Sequence, residues 1–239
     1  MRASIHQPQY IPWLGYFFKI LHSDVFVLFD TVQYPRGKHF GSRNQIKTAQ
    51  GPQWLTVPVL GRSDLLPYAE IAVDGAQAWA QKHWRSIDLA YRKAPHFARY
   101  SAGLQEIYLG RKWELLTEFN QALLQFCLDA LRIPTPIVRA TALPVDKTNM
   151  ETDAYILALL KAVRADAYVS GRGEGSLRYI RPAAFAERRI GLYFYDFTLA
   201  AYPQLWGEFS ADLSVLDVLF NCGDQARSML EQGGKLRQA

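Results

Sequence analysis

Cysteine is scarce, with two in 239 residues. Cys127 sits in LLQFCLDALRI and Cys222 in VLFNCGD, so both read as small buried hydrophobes, and no disulfide framework is expected. Long hydrophobic runs are missing too. No stretch reaches the roughly 20 apolar residues of a membrane-spanning helix. The opening MRASIHQPQY lacks the apolar core, roughly 7–15 residues long, of a signal peptide. A cytoplasmic protein without membrane contact is the expectation. Like charges never run to the roughly five or six residues of a basic arm, so direct nucleic-acid binding is not expected. The five histidines are scattered, and with the cysteines in apolar runs no metal site is expected. Repeats, low-complexity tracts and long linkers are absent.

What is present is globular material. Hydrophobic residues make up 49% and charged residues 21%, enough for one well-filled core. A single α/β domain over 1–239 is expected. The formal charge of +5 suits a phosphate or another anionic ligand, and equally a basic surface that aids solubility.

Patterning places the elements. Residues 2–6 (RASIH) form a short strand candidate, ended by the proline loop QPQYIPW. A helix follows over about 14–22. The apolar run DVFVLF at 24–29 reads as a strand buried on both faces. Residues 54–59 (WLTVPV) read as another strand, pushed towards an edge by Pro58. The stretch 76–131 is a helical block: Trp79, Trp84, Ile87 and Tyr91 fall near helical spacing, and Leu116, Phe119, Leu123, Phe126 and Ala130 share a face. A helix at 151–163, a strand at 167–170, a strand at 192–197 and an apolar helix at 213–220 complete the pattern. Strands alternating with helices predict a mostly parallel, Rossmann-like sheet flanked by helices, with the helical block inserted in the middle. Loops after His6, Asp30, Ser170 and Asp196 then open at one carboxyl edge, where such sheets bind ligands.

Three constellations carry chemistry. The first is His6-Gln7-Pro8-Gln9-Tyr10-Ile11-Pro12-Trp13, in which two prolines stiffen the backbone around polar side chains. Tyr10, Trp13 and Tyr16 also suit plain packing of the first helix. The second runs from Asp30 to Lys47. Asp30 ends an apolar strand, and Arg36, Lys38, His39, Arg43 and Lys47 follow beside Gly37 and Gly41. Arginine forks and exposed glycine amides suit phosphate or carboxylate, while an exposed surface loop has the same composition. The third is Ser170-Gly171-Arg172-Gly173-Glu174-Gly175-Ser176. Gly171, Gly173 and Ser176 fall on G-x-G-x-x-small, but the third glycine and the acidic ribose partner of a dinucleotide site are missing. That leaves a turn able to hold an anion.

The string QPQYIPWLGYF (Gln7–Phe17) resembles the opening Q-P-x-Y-x-P-x-x-G-Y-F signature of the WbqC-like family. The resemblance continues through Asp30, Gln33, Tyr34, Arg43-Asn44-x-Ile46 and Trp54-Leu55-Thr56-x-Pro58-Val59. It goes on through Trp79 with His83, Tyr91 and Ala94-Pro95-x-Phe97, then Ser170-Gly171, Tyr179 and Tyr202-x-Gln204. It closes on Leu213-Ser214-x-Leu216-Asp217-x-Leu219-Phe220-Asn221-x-Gly223. More distantly, Pro8-x-Tyr10-x-Pro12-Trp13 looks like the P-x-H-x-G-H loop of the nucleotidylyltransferase (HUP-type) superfamily, with Tyr10 and Trp13 in place of both histidines.

The family's association with bacterial surface-polysaccharide clusters, notably O-antigen, implies an enzyme of that or related natural-product biosynthesis. It would form an amide by acyl or aminoacyl transfer onto an amino sugar or similar amine. His6 or Asp30 would serve as the base, with Lys38 beside them in the catalytic group. Gln7, Tyr10, Tyr34, His39, Arg43, Asn44, Ser170, Gly171, Tyr202 and Gln204 would bind substrate. The implied partner is an anionic small molecule, a nucleotide-sugar or acyl donor, with an aminoacyl-tRNA donor left open. No cofactor is specified. Two alternatives stand beside this reading: a nucleotidyltransferase-like enzyme using ATP with Mg²⁺, and a non-catalytic nucleotide- or sugar-binding accessory protein.

Overall fold

Alternation along the first strands sets the two sides of the molecule. In β1 (Arg2–His6) and β2 (Val25–Leu28), Ala3, Ile5, Val25 and Val27 enter one hydrophobic cluster, while Phe26 and Leu28 enter another. Every residue of β2 is buried, as its unbroken apolar run predicts for a central parallel strand. The computed structural model describes residues 1–61 and 64–239; the side chains of Glu174 and Gly175 lie outside the described residues.

Beyond β2 come β3 (Arg43–Thr48), β4 (Gly51–Thr56), β5 (Ile137–Arg139), β6 (Ala167–Gly171), β7 (Gly191–Phe197) and β8 (Gly234–Gln238). The main sheet runs β5-β2-β1-β6-β7-β8. Its first five strands are parallel, and β8 closes the edge antiparallel to β7. The predicted mostly parallel sheet is therefore present, and it contains the strands anticipated at 2–6, 24–29, 167–170 and 192–197.

Helix α1 (Leu14–Leu21) joins β1 to β2. The helical block is α2 (Trp79–Tyr91), α3 (Phe97–Leu109) and α4 (Leu116–Ala130). Then follow α5 (Thr152–Ala162), α6 (Glu174–Leu177), α7 (Pro182–Glu187), α8 (Val215–Cys222) and α9 (Gln225–Gln232). Side chains of α1, the block, α8 and α9 fill the cluster that contains Phe26 and Leu28; those of α5 and α7 fill the other. Helices thus cover both faces of the sheet.

Two segments differ from their sequence patterns. Residues 43–47 belong to no exposed loop: they form β3, where Asn44, Ile46 and Lys47 are buried. β3 pairs only with β4, in a separate antiparallel hairpin, and β4 ends before Pro58. Proline lacks the N–H needed to continue the ladder, and just beyond it the chain makes an isolated bridge, Val59 to Val73. The short β5 directly follows the prolines that stop α4. At three residues it is too brief for a periodic signal.

Gly15 fixes how the proline loop enters α1. A Cβ there would lie 2.2 Å from the indole of Trp13, so the ring can lie across the first turn only over glycine. Ile11, two residues before Trp13, holds φ at +36°, a strained value for a β-branched residue. Asn44 Nδ2 donates to its carbonyl at 2.8 Å, tying the strained turn to β3.

Candidate functional site

Strand β1 lies where the sheet changes direction: connections lead outward through β2 to β5 on one side and through β6 to β7 on the other. The carboxyl ends of β1 and β6 therefore flank a crevice at the topological switch point. His6 is the last residue of β1 and Gly171 the last of β6.

His6 is held from two directions. Its ring stands edge-on to Tyr16 of α1, with centroids 4.9 Å apart. Its Nδ1 lies 3.0 Å from the Gln7 carbonyl, which selects the tautomer donating from Nδ1 and leaves a lone pair on Nε2. Burial, and next the neighbouring Lys19 charge, lower its pKa to about 3 against the opposing backbone hydrogen bond. The ring is thus neutral at physiological pH, with an Nε2 lone pair that can accept a hydrogen bond.

Two cavities meet at this histidine. One, of 780 Å³, extends over Gln7, Gln33, Phe40, Lys147, Tyr168 and Tyr179. The other, of 490 Å³, lies on the α1 side and is bounded by Trp13, Lys19, Arg172, Tyr195 and Asp196. Both are lined by His6, Gly173 and Ser176. The larger matches the size of a small-ligand site. Arg172, half exposed, pairs loosely with Asp196 at 3.7 Å, and Asp196 also meets Arg237 at 3.0 Å. Among the described residues there is no cluster of three or more metal-ligating side chains, and no helix is long and apolar enough to cross a membrane.

The WbqC-like protein family model matches residues 7–229. The chain belongs to that family. It is also 35% identical over 231 residues to the uncharacterized protein Rv1507c of Mycobacterium tuberculosis, covering 96% of this chain and 97% of the relative. No solved structure matches it.

In this WbqC-like chain the anticipated site residues divide into separate groups. His6, Gln7 and Gly171 lie at the switch-point cavities. Ser170 is nearly buried and its hydroxyl turns to the Gly171 carbonyl at 3.3 Å. Asp30 is fully buried away from the cavities: Arg139 Nε at 2.6 Å, the Thr141 amide at 3.0 Å and the Thr141 hydroxyl at 2.8 Å all donate to its carboxylate. Tyr10 is buried at the helical block, its hydroxyl 2.8 Å from His83 Nδ1 and 2.5 Å from the Tyr108 hydroxyl.

The basic segment also divides. Tyr34 donates to Ser42 at 2.8 Å, and His39 contacts Tyr34 and Tyr68. Lys38 is exposed. Arg43 stacks on Trp54 with its guanidinium 3.5 Å from the ring centroid. Asn44 braces the strained loop. Tyr202 and Gln204 belong to a further buried network around Asp217: the hydroxyls of Tyr202 and Tyr91 each donate to its carboxylate at 2.8 Å, and Gln204 accepts from Lys47. Burial raises the Asp217 pKa while those hydroxyl bonds oppose the shift.

Sequence reasoning passed over Lys19, Lys147 and Tyr195 at the cavities, while Ser176 had stood out only as part of the glycine-rich turn. Lys19 left a visible signal, the one charge inside the otherwise apolar LGYFFKIL.

Proposed function

We propose that this protein is an enzyme that joins an acyl or aminoacyl group to an amine, an amino sugar or a similar compound, at the cavities around His6. One observation carries the reading: a neutral histidine, its Nδ1 committed to a backbone carbonyl, stands at the sheet's switch point between two cavities. In the reaction the amine nitrogen attacks the acyl carbon and the bond to the leaving group breaks. His6 Nε2 accepts the proton shed by the nitrogen and passes it to the departing group. The Gly171–Ser176 turn and Arg172 supply backbone and guanidinium donors for an anionic part of the substrate. Asp30 serves as a structural carboxylate here, since its oxygens are already taken by Arg139 and Thr141. The base role therefore falls to His6. Biosynthesis of bacterial surface polysaccharide is the setting the family suggests.

Thermal stabilisation by a panel of ligands tests this reading, because a ligand that binds only the folded state raises the melting temperature. Nucleotide-sugars bearing an amine, or acyl donors, are expected to stabilise the wild-type protein. Stabilisation by ATP with Mg²⁺ alone would favour nucleotidyl transfer. Stabilisation by ligands without any amide product in mixed incubations would favour an accessory binding protein.

A further inference from the structure

Lys19 lies in α1 with 2% of its surface exposed. Among the described residues no carboxylate or other hydrogen-bond acceptor meets its Nζ. Its neighbours are aromatic faces, Tyr16 at 5.1 Å and Phe26 at 5.9 Å from the ring centroids. Burying an ammonium without a partner opposes folding, and a methionine would suit these apolar surroundings better. Helical side chains lean towards the helix N-terminus. The Lys19 stem therefore points back towards the carboxyl ends of the strands, and the residue lines the 490 Å³ cavity with His6, Arg172 and Ser176. On β1, Ser4 is fully buried and its Oγ also lacks a hydrogen-bond partner among the described residues. Two residues before His6, it faces the same side of the sheet.

The charged and titratable surroundings can be named element by element. β1 contributes His6, and α1 contributes Tyr16. β7 contributes Tyr195 and Asp196, the latter shared by Arg172 and Arg237. On α9, which packs on α1, Arg227 pairs with Glu231 at 2.8 Å. Among the described residues, the one carboxylate lining the cavity is Asp196, which two arginines engage, and none of them gives Lys19 or His6 a counter-ion.

We propose that Lys19 is the oxyanion-holding residue of this cavity, binding the phosphoryl or carboxylate group of the substrate together with Arg172 and the Gly171–Ser176 turn. The inference rests on the cavity being the substrate site and adds which chemical group enters it and which residue receives it. With the cavity empty, burial drives the Lys19 pKa well below its ordinary value. An arriving anion opposes that shift and favours the ammonium form that pairs with it, so anion binding is coupled to protonation of this amine. No bond is made or broken beyond that protonation.

Calorimetric titration of the full-length protein with inorganic pyrophosphate, and separately with acetate, tests the proposal. The titrations are run near neutral pH in buffers of low and high ionisation enthalpy, on wild type, Lys19→Met and His6→Gln. Lys19-dependent binding of pyrophosphate assigns a phosphoryl group, and of acetate a carboxylate. In wild type, binding should be accompanied by net proton uptake. Lys19→Met should weaken binding by about 10–100-fold, the range of a charged hydrogen bond, and abolish the proton uptake. Its melting temperature should rise, because an apolar chain replaces a buried amine. The proposal is overturned if neither anion binds wild type, or if Lys19→Met binds with unchanged affinity and proton uptake. A Lys19→Met protein that melts lower and binds normally would assign the lysine to packing. If Lys19→Met loses pyrophosphate or acetate while no amide product is ever detected, the anion site stands and the catalytic reading of His6 falls.

Discussion

At the scale of single residues, the surroundings of each polar group decide its role. His6 ends β1 and Asp30 lies two residues beyond β2, and both are candidates for proton transfer on sequence grounds. Asp30 spends its acceptors on Arg139 and Thr141, whereas His6 keeps Nε2 for a ligand. His6→Gln should therefore lower the rate of amide formation by roughly 10²–10⁴-fold while leaving substrate affinity nearly unchanged. Rates and melting temperatures measured side by side check this. A full-rate variant would remove His6 from proton transfer, and a variant that merely unfolds would make it a packing residue. His6 and Gln7 were legible in sequence because a strand end and two prolines announce a stiff polar loop. The inward turn of Tyr10, Tyr34 and Asn44 was not legible. Their partners, His83 with Tyr108, Ser42, and the Ile11 carbonyl, depend on tertiary packing.

At the scale of elements, the long periodic segments read clearly. β1 matches its predicted bounds, α2 and α4 lie within the predicted block at 76–131, and α5 lies within 151–163, because unbroken periodicity and flanking prolines leave little choice. β3 was hidden, since RNQIKT carries four polar or charged residues besides its threonine and isoleucine. It is held by hairpin pairing and by Lys47, whose Nζ donates to Gln204 and the Glu208 carbonyl. Among strand junctions, the Asp30–Arg139 pair joins the end of β2 to the end of β5, with the carboxylate fully buried and the arginine 27% exposed. Asp30→Ala leaves Arg139 without its partner. Removing one member of a buried pair costs roughly 3–5 kcal/mol, and partial exposure of Arg139 sets the low end of that range. Urea denaturation should show the midpoint falling accordingly. An unchanged midpoint would mean that the pair does not hold β2 to β5, and would reopen a catalytic role for Asp30.

At the scale of the whole molecule, stability should depend on pH through two buried imidazoles. Burial lowers His6 to about 3 and His83 to about 4, against an ordinary 6.5. Below 6.5 the unfolded chain then binds more protons than the folded one, so stability falls as pH drops. The contribution is fully present above 6.5 and is lost progressively towards 3–4. Urea midpoints measured across that interval should decline, and should decline less steeply in His83→Asn. A flat profile in the wild type would mean that neither ring is held neutral by the fold. The sheet order could not be read from sequence, but the alternation that implies a switch point could. That is why the loops after β1 and β6 were expected together, while Arg43, expected in the loop that follows Asp30, starts the hairpin strand β3.

The central claim is that ligands enter between the carboxyl ends of β1 and β6. Hydrogen–deuterium exchange on the protein, with and without whichever nucleotide-sugar or acyl donor stabilises it, tests that claim most directly. Slowed exchange should centre on the amides of residues 6–13 and 171–177, with the β3–β4 hairpin at 43–56 unchanged. Protection confined to the hairpin or to the loop around Tyr202 and Gln204, with none at the strand ends, would contradict it.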